Sequence, residues 1–270
     1  MAHRDAVGER TAFRSWRSVA RGERPPNGPE WVWVGALVLL SVVYGVLAAV
    51  ALWLRGLRPA RFDVPVISVG NIVVGGTGKT PLVVRLAELL SERGRKVAVV
   101  SRGYGRESRG LVVVSRGDSP LVDWREAGDE PYLTALLTKG AAVIVSAGRA
   151  EGVRYAVDKL GADAILLDDA FQHVQLSRDL DILVVDARRP LGNGYLLPAG
   201  TLREPPIAAK RADLIVATRS EQGTDELRAA LSRFAPGVHV VETRMKPVEL
   251  WDVVTGDRVV IRVGGIGIES

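Results

Sequence analysis

A chain of 270 residues, 47% of them hydrophobic and 25% charged, can bury the core of one large domain, which excludes disorder of the whole chain. It has no cysteine, so a disulfide framework, a thiolate metal site and a thiol nucleophile are ruled out, and a reducing compartment fits. The net charge of +5 raises the question of nucleic acid. The arginines, however, are spread along the chain and gather near the N-terminus beside its most apolar segment, a placement that suits a membrane surface and no nucleic acid.

Residues 1–30 form a basic segment containing Arg4, Arg10, Arg14, Arg17, Arg21 and Arg24. From Trp31 to Leu54 there is no charged residue, and Glu30 and Arg55, Arg58 and Arg61 flank the run. It is long enough to cross a bilayer as one helix, with Trp31, Trp33 and Trp53 where interfacial aromatics belong. A cleaved signal peptide is disfavoured, because the run is too long and no small-residue cleavage pattern precedes Arg55. A buried core helix would have to be apolar on every face. The expectation is an uncleaved membrane helix over 31–54, spanning or dipping into one leaflet. Arginines on both sides leave its orientation open.

Beyond it the pattern alternates. Strand-like runs lie at Val64–Val69, Lys96–Ser101, Leu111–Ser115, Ala141–Ser146, Ala162–Leu167, Asp181–Asp186, Leu214–Thr218 and Val238–Thr243, with helical patterns at Pro81–Arg93, Pro131–Lys139, Arg149–Leu160 and Thr224–Phe234. Continuously apolar strands joined by helices predict an α/β fold, a mostly parallel sheet with helices on both faces, and ligands at the carboxyl ends of its strands. The core is expected over 55–245, with a further C-terminal segment starting at 246–270.

The first strand leads into Gly70-Asn71-Ile72-Val73-Val74-Gly75-Gly76-Thr77-Gly78-Lys79-Thr80-Pro81. Gly75, Gly76, Thr77 and Gly78 can turn successive backbone N–H groups toward one anion. Lys79 can reach the outer phosphates, the Thr80 hydroxyl can hold Mg²⁺, and the following helix adds its dipole. The usual first glycine of such a loop is Val73 here. This P-loop predicts binding of a nucleoside triphosphate.

An apolar strand ending in acidic residues, Leu167-Asp168-Asp169-Ala170-Phe171-Gln172-His173, supplies carboxylates suited to Mg²⁺ in a chain that already has a phosphate loop. A loop rich in proline and glycine follows at Gly194–Pro206. Its Arg203 and Glu204 could bind phosphate and metal, or simply form a surface ion pair; spacing alone does not decide between these.

In these motifs the chain resembles a known family, the tetraacyldisaccharide 4′-kinases of lipid A biosynthesis. The resemblance rests on V-P-V-I-S-V-G-N-I-V-V-G-G-T-G-K-T-P at 64–81, S-R-G-Y-G-R at 101–106, G-D-E-P at 128–131, L-D-D-A-F-Q-H at 167–173 and L-L-P-A-G-T-L-R-E-P at 196–205. It implies a P-loop NTPase-type fold preceded by an N-terminal membrane helix, and ATP and Mg²⁺ as cofactors. The implied reaction is transfer of the γ-phosphate to the 4′-hydroxyl of an acylated glucosamine disaccharide 1-phosphate at the inner membrane, with the catalytic portion facing the cytoplasm.

Carried over residue by residue, Lys79 would contact the β- and γ-phosphates, and Thr80, Asp168, Asp169 and Glu204 would serve the metal. Asp129 would help deprotonate the attacking hydroxyl. Arg149 and Arg203 would steady phosphate charge, and Gln172 and His173 would line the site. Nothing in the resemblance fixes the oligomeric state.

The chain departs from the family pattern in two places. Ala170 stands where members usually have glycine, which matters if the backbone needs a positive φ there. The family also continues for several tens of residues past the point where this sequence stops and contributes an Asp-His pair, whereas the histidines here are His3, His173 and His239. A C-terminally truncated, catalytically impaired nucleotide-binding remnant is therefore one alternative. A partition-type P-loop ATPase is another, although those proteins carry lysine where this chain has Val74.

Overall fold

The computed structural model describes Trp16, residues 18–28 and 30–244, and the backbone of Leu250–Trp251, Arg258–Val259 and Ile268–Glu269. Most of the 246–270 segment lies outside the described residues.

The apolar run forms one helix, α1 (Glu30–Gly56), of 27 residues, whose most apolar 18-residue window has a mean hydropathy of 2.5; it is about 40 Å long at 1.5 Å per residue. It packs so lightly on the rest of the chain that Ser41 is its one buried residue. Val32, Trp33, Leu39, Leu47 and Trp53 are all exposed, and by length and composition the helix could cross a membrane.

The core alternates β1 (Val66–Gly70), α2 (Lys79–Glu92), β2 (Val97–Ser101), β3 (Val112–Arg116), α3 (Trp124–Ala127), α4 (Asp129–Leu137), β4 (Ala142–Val145), α5 (Arg149–Leu160), β5 (Ala164–Asp168), β6 (Leu180–Asp186), a 3₁₀ turn (Pro206–Arg211), β7 (Leu214–Thr218), α6 (Asp225–Ser232) and β8 (His239–Thr243). Two short paired segments, β9 (Leu250–Trp251) and β10 (Arg258–Val259), lie apart from the main sheet, and β11 (Ile268–Glu269) joins its edge. The main sheet runs β11-β8-β7-β6-β1-β5-β2-β4-β3.

Pairing is parallel from β8 through β4, so each central strand is buried on both faces and reads as an unbroken apolar run. The two edges are antiparallel: β3 lies against β4, and β11 against β8. The mostly parallel sheet expected from the sequence is thus the one that forms, with antiparallel pairing at its two edges.

Successive residues of one strand feed opposite layers. Val97 and Val99 pack with Val83 and Ala87 of α2 and Ala135 of α4, while Ala98 and Val100 pack with Val153 and Ala156 of α5. A third cluster joins Leu183 and Ile215 to Leu227 and Leu231 of α6 and to Phe171. Helices thus cover both faces, and every parallel strand delivers its carboxyl end to the same edge.

Candidate active site at the phosphate-binding loop

Register places the motifs together. Val69 lies opposite Asp168 and Gly70 opposite Leu183, so the end of β1 opens into the loop directly beside the acidic end of β5. Gly70 has to be glycine, since a Cβ there would sit 2.5 Å from the Phe171 backbone nitrogen. Gly75 and Gly78 take φ values of 122° and 84°, a region that side chains avoid and that turns the loop amides inward. Val73 replaces a glycine without taking a positive φ; an isolated bridge joins it to Leu202, and the Val74 N–H donates to the Thr201 carbonyl at 2.7 Å.

Two residues that the motif pattern did not single out hold the loop. The buried Asn71 donates through Nδ2 to the Thr77 hydroxyl at 3.1 Å, and the Thr218 hydroxyl at the end of β7 donates to the Thr77 carbonyl at 2.7 Å.

Lys79 opens α2 and reaches across the loop mouth to Asp169, Nζ to Oδ1 3.4 Å, and Arg203 Nη1 approaches the other Asp169 oxygen at 3.0 Å. These two cations draw the Asp169 pKa below the usual carboxylate value in spite of burial, which acts the other way. Asp169 also carries the positive φ of this turn, 48°. The left-handed residue is thus Asp169 itself, and Ala170 loses nothing by not being glycine.

Asp168 is the opposite case. It is 2% exposed, and burial first, then the negative charges of Asp169 and Glu130, push it up to about 6. Arg149 is buried beside it at the start of α5, donating through Nη2 to the Asp168 carbonyl at 3.0 Å. Burial lowers its pKa to about 10, which still leaves it charged at neutral pH.

Arg203 and Glu204 are not a surface ion pair. Arg203 turns to Asp169, whereas Glu204, 2% exposed, accepts from Arg211 at 2.7 and 2.9 Å and from Gln172 at 2.8 Å. Gln172 in turn donates to the Asn71 carbonyl at 2.9 Å. The Glu204 carboxylate therefore fixes Gln172 and Arg211, and its oxygens are already engaged. Arg211, missed by motif reading, also stacks 4.6 Å above the Phe171 ring.

A cleft of about 580 Å³ opens beside this cluster, walled by Tyr44, Ala48, Ala51, Leu52 and Arg55 of α1 and floored by Arg149, Asp169, Gln172, His173, Arg203 and Glu204. Its charge is mostly positive. Burial lowers the His173 pKa to about 4, and Arg149, Arg178, Arg102 and Arg55 add to the effect. The imidazole is thus expected to stay neutral until about pH 4, as an NMR titration of its ring would show. Because its folded pKa lies below the ordinary 6.5, His173 stabilises the fold above that pH and loses the contribution as pH falls toward 4.

Asp129 is the first residue of α4, exposed and not among the cleft-lining residues, although its neighbour Glu130 is close enough to act on Asp168. On the other side of the loop a smaller cavity of about 230 Å³ is lined by Gly75, Gly76, Thr77, Asp186, Arg188 and Arg219, among others. Arg219 pairs with Asp186 there and donates to the Gly76 carbonyl at 2.9 Å.

Comparison with known proteins fits this arrangement. The sequence model of tetraacyldisaccharide-1-P 4′-kinases matches residues 33–267. The chain belongs to that family. A tetraacyldisaccharide 4′-kinase of Anaeromyxobacter dehalogenans is 48% identical over 237 residues, covering 85% of this chain and 62% of the relative. One from Syntrophotalea carbinolica is 52% identical over 199 residues, covering 72% of this chain and 56% of the relative. The chain thus spans about three fifths of the length of these curated relatives. A crystal structure of LpxK from Aquifex aeolicus, described as an "apo" form in complex with ATP, superposes with a TM-score of 0.69 at 35% identity, over 84% of this chain and 69% of that one.

Proposed function

We propose that the protein transfers the γ-phosphate of ATP to the 4′-hydroxyl of a tetraacylated glucosamine disaccharide 1-phosphate, at the inner membrane with its core facing the cytoplasm. The observation that carries this reading is the meeting of Lys79, Asp169 and Arg203 at the mouth of the phosphate loop, in a cleft whose other wall is the exposed apolar helix α1.

In this reading the loop amides of Gly75–Gly78 hold the phosphates and Lys79 follows the β- and γ-oxygens. Arg203 and Arg149 stabilise charge on the transferring group. The hydroxyl oxygen attacks in line, the bond from the γ-phosphorus to the β-γ bridging oxygen breaks, ADP departs, and Asp129, exposed at the start of α4 and outside the cleft lining, takes the hydroxyl proton through water. Neutral His173 and Gln172 line the acceptor side, and Arg55 and Arg102 meet anionic charge on the sugar. The acyl chains stay in the membrane alongside α1, so only the sugar has to enter the cleft.

Among the described residues no cluster of three carboxylate or imidazole groups could cage a metal. Mg²⁺ does not need one, since it binds through one or two carboxylates, phosphates and water. The adjacent Asp168 and Asp169, the first held protonated up to about 6 by burial and then by the negative charges of Asp169 and Glu130, would hold such an ion together with Thr80. When bound, Mg²⁺ would neutralise phosphate charge; Glu204 would act behind it by holding Gln172.

The smaller cavity would receive the nucleoside, with Arg219 as one wall. Arg219→Ala is expected to raise the KM for ATP about tenfold, a loss of one stacking or hydrogen-bonding contact, with little change in kcat, as steady-state kinetics would show. The whole proposal is tested by incubating the chain with γ-labelled ATP and the disaccharide 1-phosphate in detergent micelles. Label in the lipid supports it, whereas label released only as inorganic phosphate would point to an ATPase of the partition type.

A further inference from the structure

We infer that Tyr44 and Ser41, inside the apolar helix α1, are positioning residues that set the catalytic arginine from the membrane side. Resting on the kinase reading, the inference makes the helix part of the active site as well as its anchor. The observations are local. Ser41 and Tyr44 are the two hydroxyl residues of the helix, three positions apart and so on one face. Each meets a backbone group of the loop that carries Arg203.

The Ser41 hydroxyl shares its one proton between the Leu196 carbonyl and the Leu37 carbonyl of its own helix, both at 2.8 Å, and accepts the Ala199 N–H at 3.1 Å. The Tyr44 hydroxyl donates to the carbonyl of Arg203 itself at 3.1 Å. Gly45, next to Tyr44, faces the Leu196 side chain, whose Cδ1 would lie 2.7 Å from a Cβ placed there.

The far side of the same loop is tied to the phosphate loop. The Arg203 N–H donates to the Ile72 carbonyl at 2.8 Å, and the Val74 N–H donates to the Thr201 carbonyl at 2.7 Å. The segment from Leu196 to Arg203 is therefore clamped between helix and phosphate loop, and the Arg203 guanidinium leaves it to reach Asp169 at 3.0 Å.

In an apolar helix facing lipid, an anchor needs no hydroxyl. Two hydroxyls aimed at backbone groups of one catalytic loop fix where that loop sits. Removing the Tyr44 bond leaves the Arg203 carbonyl without its helix-side partner, so the guanidinium meets the transferring phosphate less often in line. The helix remains as apolar as before.

The test combines Tyr44→Phe and Ser41→Ala with Arg203→Ala, measuring lipid phosphorylation at saturating ATP and lipid, ATP binding, and hydrogen exchange of the peptide containing residues 196–204. Tyr44→Phe is expected to lower kcat roughly five- to tenfold, as loss of about one hydrogen bond implies, leaving the KM for lipid and the affinity for ATP within about twofold. In the Arg203→Ala background the same substitution should have no further effect, because it acts through that side chain. Both helix variants should speed exchange in 196–204.

An unchanged kcat overturns the inference, as does a loss that persists undiminished without Arg203 or one confined to the KM for lipid, which would mark an anchoring role. Unaltered exchange overturns the clamp itself. A wild-type chain that labels no lipid overturns the kinase reading and the catalytic part of this inference with it, while exchange in 196–204 still reports whether helix and loop are joined.

Discussion

Lys79→Ala is expected to lower phosphate transfer by roughly 10²–10³-fold, the usual cost of removing one preorganised charge from a transition state of this kind. Lys79 is the cation at the start of α2 and reaches the cluster from the loop itself, so no neighbour can take its place. Arg203 approaches Asp169 from the opposite oxygen, and Arg149 is held behind by the Asp168 carbonyl. The fold should survive, because Lys79 closes no core contact and the loop is held by Asn71 and Thr218. Asp169, losing one of the two cations that draw its pKa down, should titrate at a higher pH in the variant.

Asp129→Ala should cost less. The leaving group and the transferred phosphoryl carry most of the charge development, and general base assistance contributes less than its neutralisation. Equal rates for the two alanine variants, both folded and both saturated with ATP, would reverse this allocation and make proton removal the main barrier.

The extent to which the chain announces this site follows from how local each signal is. Strand and helix positions are legible because burial on both faces leaves unbroken apolar runs, and because each parallel strand has to be followed by a connection. The phosphate loop is legible because its glycines answer to backbone needs, at Gly75 and Gly78 by φ and at Gly70 by the contact with Phe171. The antiparallel β3 could not be read from its own residues, since pairing direction is decided by the connection to β4. Arg211 and Arg219 stayed hidden for a related reason. Each is an ordinary arginine in sequence and gains its role from partners that the topology supplies, Glu204 and Phe171 for one, Asp186 and the Gly76 carbonyl for the other. Ser41 and Tyr44 did carry a signal, as hydroxyls in a stretch that otherwise avoids polarity.

Phe171→Ala is expected to be the most damaging single change to stability, and to reach the site by way of the core. Phe171 is the largest fully buried side chain among the described residues, and truncating such a ring typically costs ~3–5 kcal/mol. At about 2–4 °C per kcal/mol for a domain of this size, the melting temperature should fall by roughly 6–20 °C. Its position adds a second effect. The Arg211 guanidinium rests on the ring and donates to the Phe171 carbonyl at 3.3 Å while holding Glu204. Without the ring Arg211 is free to swing, Glu204 loses its partner in a dry site, and Gln172 loses its orientation. Activity should therefore decline at temperatures where the variant is still folded. Phe171→Leu separates the two, since it keeps most of the apolar volume and removes the stacked face, at a smaller stability cost than alanine because it leaves a smaller cavity. Melting curves in detergent beside lipid phosphorylation rates would show it: a leucine variant with near-normal melting and reduced transfer places the ring in the chain of contacts that orients the site, and one with normal transfer confines Phe171 to the core.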